Sequence, residues 1–132
     1  MRPRALTLAA LLPAALALTA CGAEGSVSDG AGAAAQADTA ITVSATDTGC
    51  ALSATTAPKG SIAFTVTNTG TKVNEFYLYR GEDVVGEVEN IGPGLTRTLT
   101  VEDVAAGTYT SACKPGMSGD GIRADFVVTA GR

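Results

Sequence analysis

From Ile41 onward, apolar side chains return at every second position in short runs, and no stretch keeps a 3.6-residue period. Ile41-Thr42-Val43-Ser44-Ala45 alternates apolar and polar residues. Residues 61–68 do so more cleanly, with Ile62, Phe64 and Val66 on one face and Ala63, Thr65 and Thr67 on the other. Further strands are predicted over 75–80, 84–90, 96–101, 108–113 and 124–129. Turn residues separate them: Pro58-Lys59-Gly60, Asn68-Thr69-Gly70, Arg80-Gly81-Glu82-Asp83, Pro93-Gly94, Ala106-Gly107 and Gly119-Asp120-Gly121. Short strands recurring about every ten residues predict an all-β domain, a Greek-key β-sandwich of about seven to eight strands or a small barrel. Tyr109 follows a turn glycine and opens a strand, the position of a tyrosine corner, whose phenol bonds back to the backbone and pins a Greek-key crossover.

Composition removes whole classes of chemistry. The chain has 132 residues and no histidine. Ser-His-Asp and Cys-His nucleophiles are therefore out of reach, as are His₃ and Cys₂His₂ zinc sites and a His₂Cys blue-copper centre. A net charge of −4 argues against nucleic acid as a partner, since its phosphates demand a basic face. A binding protein, not an enzyme, is expected.

The first twenty residues read as a targeting signal. Met1-Arg2-Pro3-Arg4 is a basic start, and 5–20 is an uncharged apolar run interrupted by Pro13. At about sixteen residues the run is short for a span that needs roughly twenty. It ends Leu18-Thr19-Ala20-Cys21, which resembles a bacterial lipobox, and that resemblance implies cleavage before Cys21 and lipidation of its thiol. Two or more acyl chains hold a protein on a membrane where one does not. Residues 21–39 then read as the lipidated cysteine and a Gly/Ala/Ser tether, in which Val27 is the only large apolar side chain. The folded domain is expected over 40–132, lipid-anchored on the extracytoplasmic face of the cell membrane.

Several segments carry a family resemblance: Phe64-Thr65-Val66-Thr67-Asn68-Thr69-Gly70, then Glu75-Phe76, then Gly86-Glu87-Val88-Glu89-Asn90-Ile91-Gly92-Pro93-Gly94, and Gly107-Thr108-Tyr109 with Cys113. Over roughly 41–129 the chain resembles cupredoxin-like domains, specifically the EfeO type of bacterial iron-uptake systems. Copper-bearing cupredoxins place a histidine ligand on the strand after an Asn-x-Gly turn; this chain has Glu75 there, and Lys114-Pro115-Gly116-Met117 where a second histidine would follow the cysteine. The EfeO type also uses a non-histidine constellation, so the resemblance implies a ligand role for Glu75. EfeO proteins carry a helical metal-binding domain after the cupredoxin, and this chain reads as a stand-alone module.

Three groups of residues are candidates. With Cys21 committed to lipid, Cys50 and Cys113 either form a disulfide, as exported cysteines commonly do, or remain thiolates that build a soft copper(I) site with Met117. Glu75, Glu87 and Glu89 are hard oxygen donors suited to iron(III) or to divalent ions, and Glu87 and Glu89 share a strand face by period two. The plainer reading of Glu87 and Glu89 is a solvated strand edge. Met117 is a ligand or a cap on the sandwich end. Ile91 is expected in the core, and Asp120 in a turn. Two functions follow. One is a membrane-anchored protein that binds iron or copper through Glu75, Cys113 and Met117, with Cys50 as ligand or disulfide partner, and hands the ion to a transporter or binding protein. The other is a metal-free, disulfide-stapled interaction module of the cell envelope.

Overall fold

Runs such as 41–45 and 61–68 become strands because one face of each packs into a core. A computed structural model describes residues 36–131. The signal segment, Cys21 and the tether up to residue 35 lie outside the described residues. Nine strands appear among those described: β1 (Thr39–Ala45), β2 (Cys50–Leu52), β3 (Thr56–Pro58), β4 (Gly60–Asn68), β5 (Asn74–Arg80), β6 (Asp83–Ile91), β7 (Thr96–Val104), β8 (Gly107–Cys113) and β9 (Ile122–Thr129). The seven predicted runs are all strands. The two additional ones, β2 and β3, have three residues each, too few for a period to show. Pro58 accordingly closes β3, and the turn shrinks to Lys59.

The strands form two sheets, ordered β2-β1-β4-β7 and β3-β9-β8-β5-β6. After the β1–β2 hairpin the chain crosses to the other sheet as β3, then returns as β4 parallel to β1, pairing Thr39 with Ile62 through to Ala45 with Asn68. That excursion and return is a Greek-key crossover, and it makes both sheets mixed. The core lies between the sheets. Phe64 on β4 reaches across to Phe76 on β5 at 5.1 Å and to Phe126 on β9 at 5.4 Å between ring centroids. Ile41, Val43, Ile62, Val66, Leu78, Ile91 and Val128 surround this trio, all buried.

Two polar devices fix the connections. Tyr109 makes the expected tyrosine corner, its hydroxyl donating to the Ala105 carbonyl at 2.7 Å. Asn68, wholly buried at the end of β4, ties the β4–β5 loop to the end of β6. Its Nδ2 donates to the carbonyls of Lys72 and Ile91, both at 2.7 Å, and its Oδ1 accepts from the Gly70 amide at 2.9 Å. Gly70 has no alternative, because a Cβ there would strike the Asp47 carboxylate. Asp47 in turn accepts from the Thr71 hydroxyl and from the Thr71 and Lys72 amides, and these bonds hold its pKa below the ordinary carboxylate value. At the opposite end, Asp38 accepts from the amide and hydroxyl of Ser61 and donates its own amide to the Ser61 hydroxyl, which clasps the start of β1 to β4.

Candidate functional site

The strand directions place the candidate residues at one end of the sandwich. β5 begins there, β6 and β8 finish there, and the loop after β8 closes it as a tight turn over Pro115–Met117, with Gly116 at φ 75°. Lys114 donates its amide to the Glu75 carbonyl at 2.9 Å, and Gly116 to the Val73 carbonyl at 2.7 Å. These two bonds stitch the loop to the start of β5.

Cys50 and Cys113 are joined by a disulfide with Cα atoms 5.6 Å apart. Of the two expectations for these cysteines, the pairing is the one present. Cys50 opens β2 in one sheet and Cys113 ends β8 in the other, so the bond staples the sheets together. Neither sulfur offers a thiolate in this form, so the soft site proposed from them and Met117 lacks its anionic donors. The Met117 side chain is 43% exposed and its backbone takes a left-handed conformation, φ 55°, rare for a non-glycine residue.

The carboxylates behave differently. Phe76 and Leu78 face the core, so Glu75, Tyr77 and Tyr79 take the outer face of β5 by period two. Glu75 is buried, 7% exposed, despite its charge. The Tyr77 hydroxyl lies 3.2 Å from Glu75 Oε2 and 3.2 Å from Glu89 Oε1. One phenol proton is thus shared between two carboxylates, one from β5 and one from β6. Glu87 stands opposite Tyr77 in the β5–β6 ladder and is exposed to solvent. Glu75 and Glu89 are brought together; Glu87 remains at the edge. Among the described residues no three His, Cys, Asp or Glu side chains cluster as metal ligands do.

Tyr77 is the member that sequence reasoning passed over. Its position two residues beyond Glu75, and hence on the same face, was the available signal. Its ring stacks on Tyr79 at 5.5 Å, with planes 14° apart. The Lys114 ammonium sits 4.2 Å above the Tyr77 ring, and the Arg123 guanidinium 4.5 Å above that of Tyr79. Ala112, paired with Tyr77 across the ladder, is small enough to leave the ring room. The two cations shield an aromatic pair that would otherwise be exposed on the outside of the sheet.

Burial, the nearby Glu75 charge and hydrogen bonds to both carboxylates push the Tyr77 phenol above its ordinary value of 10.0. A phenol held neutral in the fold contributes stability that is complete below the unfolded value. As pH rises beyond it the unfolded chain gives up its proton first, and the contribution is lost through the folded value. Unfolding free energy is expected to fall as pH is raised above 10.0, and Tyr77→Phe to flatten that fall. Denaturant melts at a series of alkaline pH values check this; equal slopes for the two proteins would refute it.

The comparisons with known proteins agree with this architecture. A comparison with curated proteins gives no match. Among solved structures, auracyanin from the photosynthetic bacterium Roseiflexus castenholzii, in its dithionite-reduced form, is 21% identical, covering 71% of this chain and 99% of its own, with a TM-score of 0.56. Auracyanin B is 16% identical over 71% of this chain and 91% of its own, TM-score 0.58. Auracyanin A of Chloroflexus aurantiacus, a "blue" copper protein, is 15% identical over 68% and 99%, TM-score 0.50. At these identities the likeness is one of fold. The family described as "Cupredoxin-like domain" matches residues 8–128, most of the chain. The chain belongs to the cupredoxin-like domain family.

Proposed function

We propose that this is a cupredoxin-like metal-binding lipoprotein of the EfeO type, anchored through Cys21 to the extracytoplasmic face of the cell membrane. It binds iron or copper and passes the ion to a transporter or binding protein, without catalytic turnover. The observation that carries the reading is the convergence of Glu75 and Glu89 from two strands on one point, with Glu75 buried. Burying a carboxylate is costly unless something compensates its charge, and a cation does so more completely than a shared phenol proton.

The donor set bears on which ion fits. The chain has no imidazole, and both cysteine sulfurs of the domain are in the disulfide. At the Glu75–Glu89 pair the donors are oxygens, which suit hard cations such as iron(III) better than copper(I). Glu75→Gln combined with Glu89→Gln is expected to lower metal affinity at least tenfold, read from binding isotherms with ferric and cupric salts. Unchanged isotherms would overturn the assignment.

One observation favours a second reading. The disulfide joins the two sheets as a permanent staple, which suits a metal-free module that presents a rigid surface to an envelope partner. Elemental analysis of protein purified without chelators separates the two, since such a module carries no stoichiometric metal.

A further inference from the structure

We infer that Met117 is the domain's site of reversible oxidation, a thioether that takes one oxygen atom from a peroxide or a hypohalous acid and gives it up again to a sulfoxide reductase. The inference does not depend on the metal-binding reading above. Its basis is what the rest of the chain withholds. Oxidants of this class react with accessible thiols, thioethers, imidazoles and indoles, and more slowly with phenols. The chain has no histidine and no tryptophan, and Met1 and Met117 are its two methionines. Cys50 and Cys113 are joined in the disulfide. Tyr77, Tyr79 and Tyr109, the chain's three tyrosines, are all buried. Among the described residues Met117 is thus the one such side chain that stands in solvent, 43% exposed and packed in neither hydrophobic cluster.

The backbone holds the thioether there. Gly116 donates its amide to the Val73 carbonyl at 2.7 Å and Met117 its own to the Lys114 carbonyl at 3.0 Å, so the turn is bonded both to the start of β5 and to itself. No local opening is needed for an oxidant to reach the sulfur. The step removes two electrons from sulfur. A sulfur lone pair takes the oxygen of hydrogen peroxide, the O–O bond breaks, and the other oxygen leaves as water; with hypochlorous acid, chloride and a proton leave instead. The return step consumes two thiols of the reductase, which become a disulfide, and the oxygen leaves as water. The sulfoxide is polar and chiral where the thioether was apolar. Because the side chain already stands in solvent, the new dipole is not buried and the fold accommodates both states.

The test uses the full chain, with the Cys21 thiol alkylated beforehand and a chelator present to remove free metal. Hydrogen peroxide is added over a time course, and the peptides are mapped by mass. Met117 is expected to gain one oxygen at a rate within about threefold of that of N-acetylmethionine amide in the same solution, ahead of every tyrosine. The circular dichroism spectrum and the urea midpoint should stay unchanged. A pair of methionine sulfoxide reductases, one for each epimer, should then restore the original mass. Met117→Leu should leave the corresponding peptide without added oxygen. Oxidation of Met117 more than about tenfold slower than that of the free amide overturns the inference, as does oxygen entering a tyrosine or the disulfide first. Oxidation that destroys the native spectrum, or that both reductases leave in place, overturns its reversibility.

Discussion

Removing the disulfide is expected to lower the unfolding free energy by about 4 kcal/mol, the chain-entropy value for a loop of this length. Cys50 and Cys113 are 63 positions apart, and the closed loop contains β3 to β7 and most of β2 and β8. Reduction therefore releases almost the whole chain topology in the unfolded state. The native state loses as well, because β2 has only three residues, and its ladder to β1 is a short one. Paired Cys50→Ala and Cys113→Ala replacements, compared with the oxidised protein in urea melts, measure the effect. A loss below about 1 kcal/mol would mean that the unfolded chain is already compact across this loop.

Phe64→Ala is expected to cost about 3–5 kcal/mol. Phe64 is fully buried at the centre of β4 and is the one ring in contact with both Phe76 and Phe126. The other two phenylalanines already pack against it, and the chain has no tryptophan that could take up the vacated volume. The neighbours sit on paired strands of both sheets, which limits how far the cavity can collapse. Chemical denaturation of the disulfide-intact variant gives the value, and a cost under about 2 kcal/mol would show that the sheets close over the gap.

Phe64 and the cysteine pair also illustrate how much of the fold is legible in the sequence. Phe64 was assigned to a buried strand face by alternation alone, because β4 is nine residues long and one of its faces is polar. Ile91 and Tyr109 were equally legible, each marked by a turn residue beside it. β5 was harder, since it is buried on both faces and its outer face, with Glu75, Tyr77 and Tyr79, carries no apolar period to interpret. What covers that face comes from Lys114 and Arg123, which approach through the ladder of β5, β8 and β9. Pairing between strands distant in sequence is not visible in the chain itself, so nothing there marks Tyr77 as the meeting point of Glu75 and Glu89. The sequence marks Asn68 as a turn residue and as part of the family-like segment, but not as a tie, because its partners at Lys72 and Ile91 come from the β4–β5 loop and the end of β6. The choice at Cys50 and Cys113 stayed open because spacing along a chain does not fix which strand ends meet.

The parallel pairing of β1 with β4, clasped at Asp38, has a mechanical consequence for a domain held by its N-terminal side. A pull on residue 38 directed along β1 would load all seven residue pairs with β4 in shear at once and not peel them one by one. Should β1 slip, the chain pays out only as far as Cys50. There the bond to Cys113 transfers the load to the other sheet and stops the extension. Strands β3 to β7, which lie inside the closed loop and carry Phe64 and Phe76, are then shielded from the pull, whereas Ile41 and Val43 leave the core with β1.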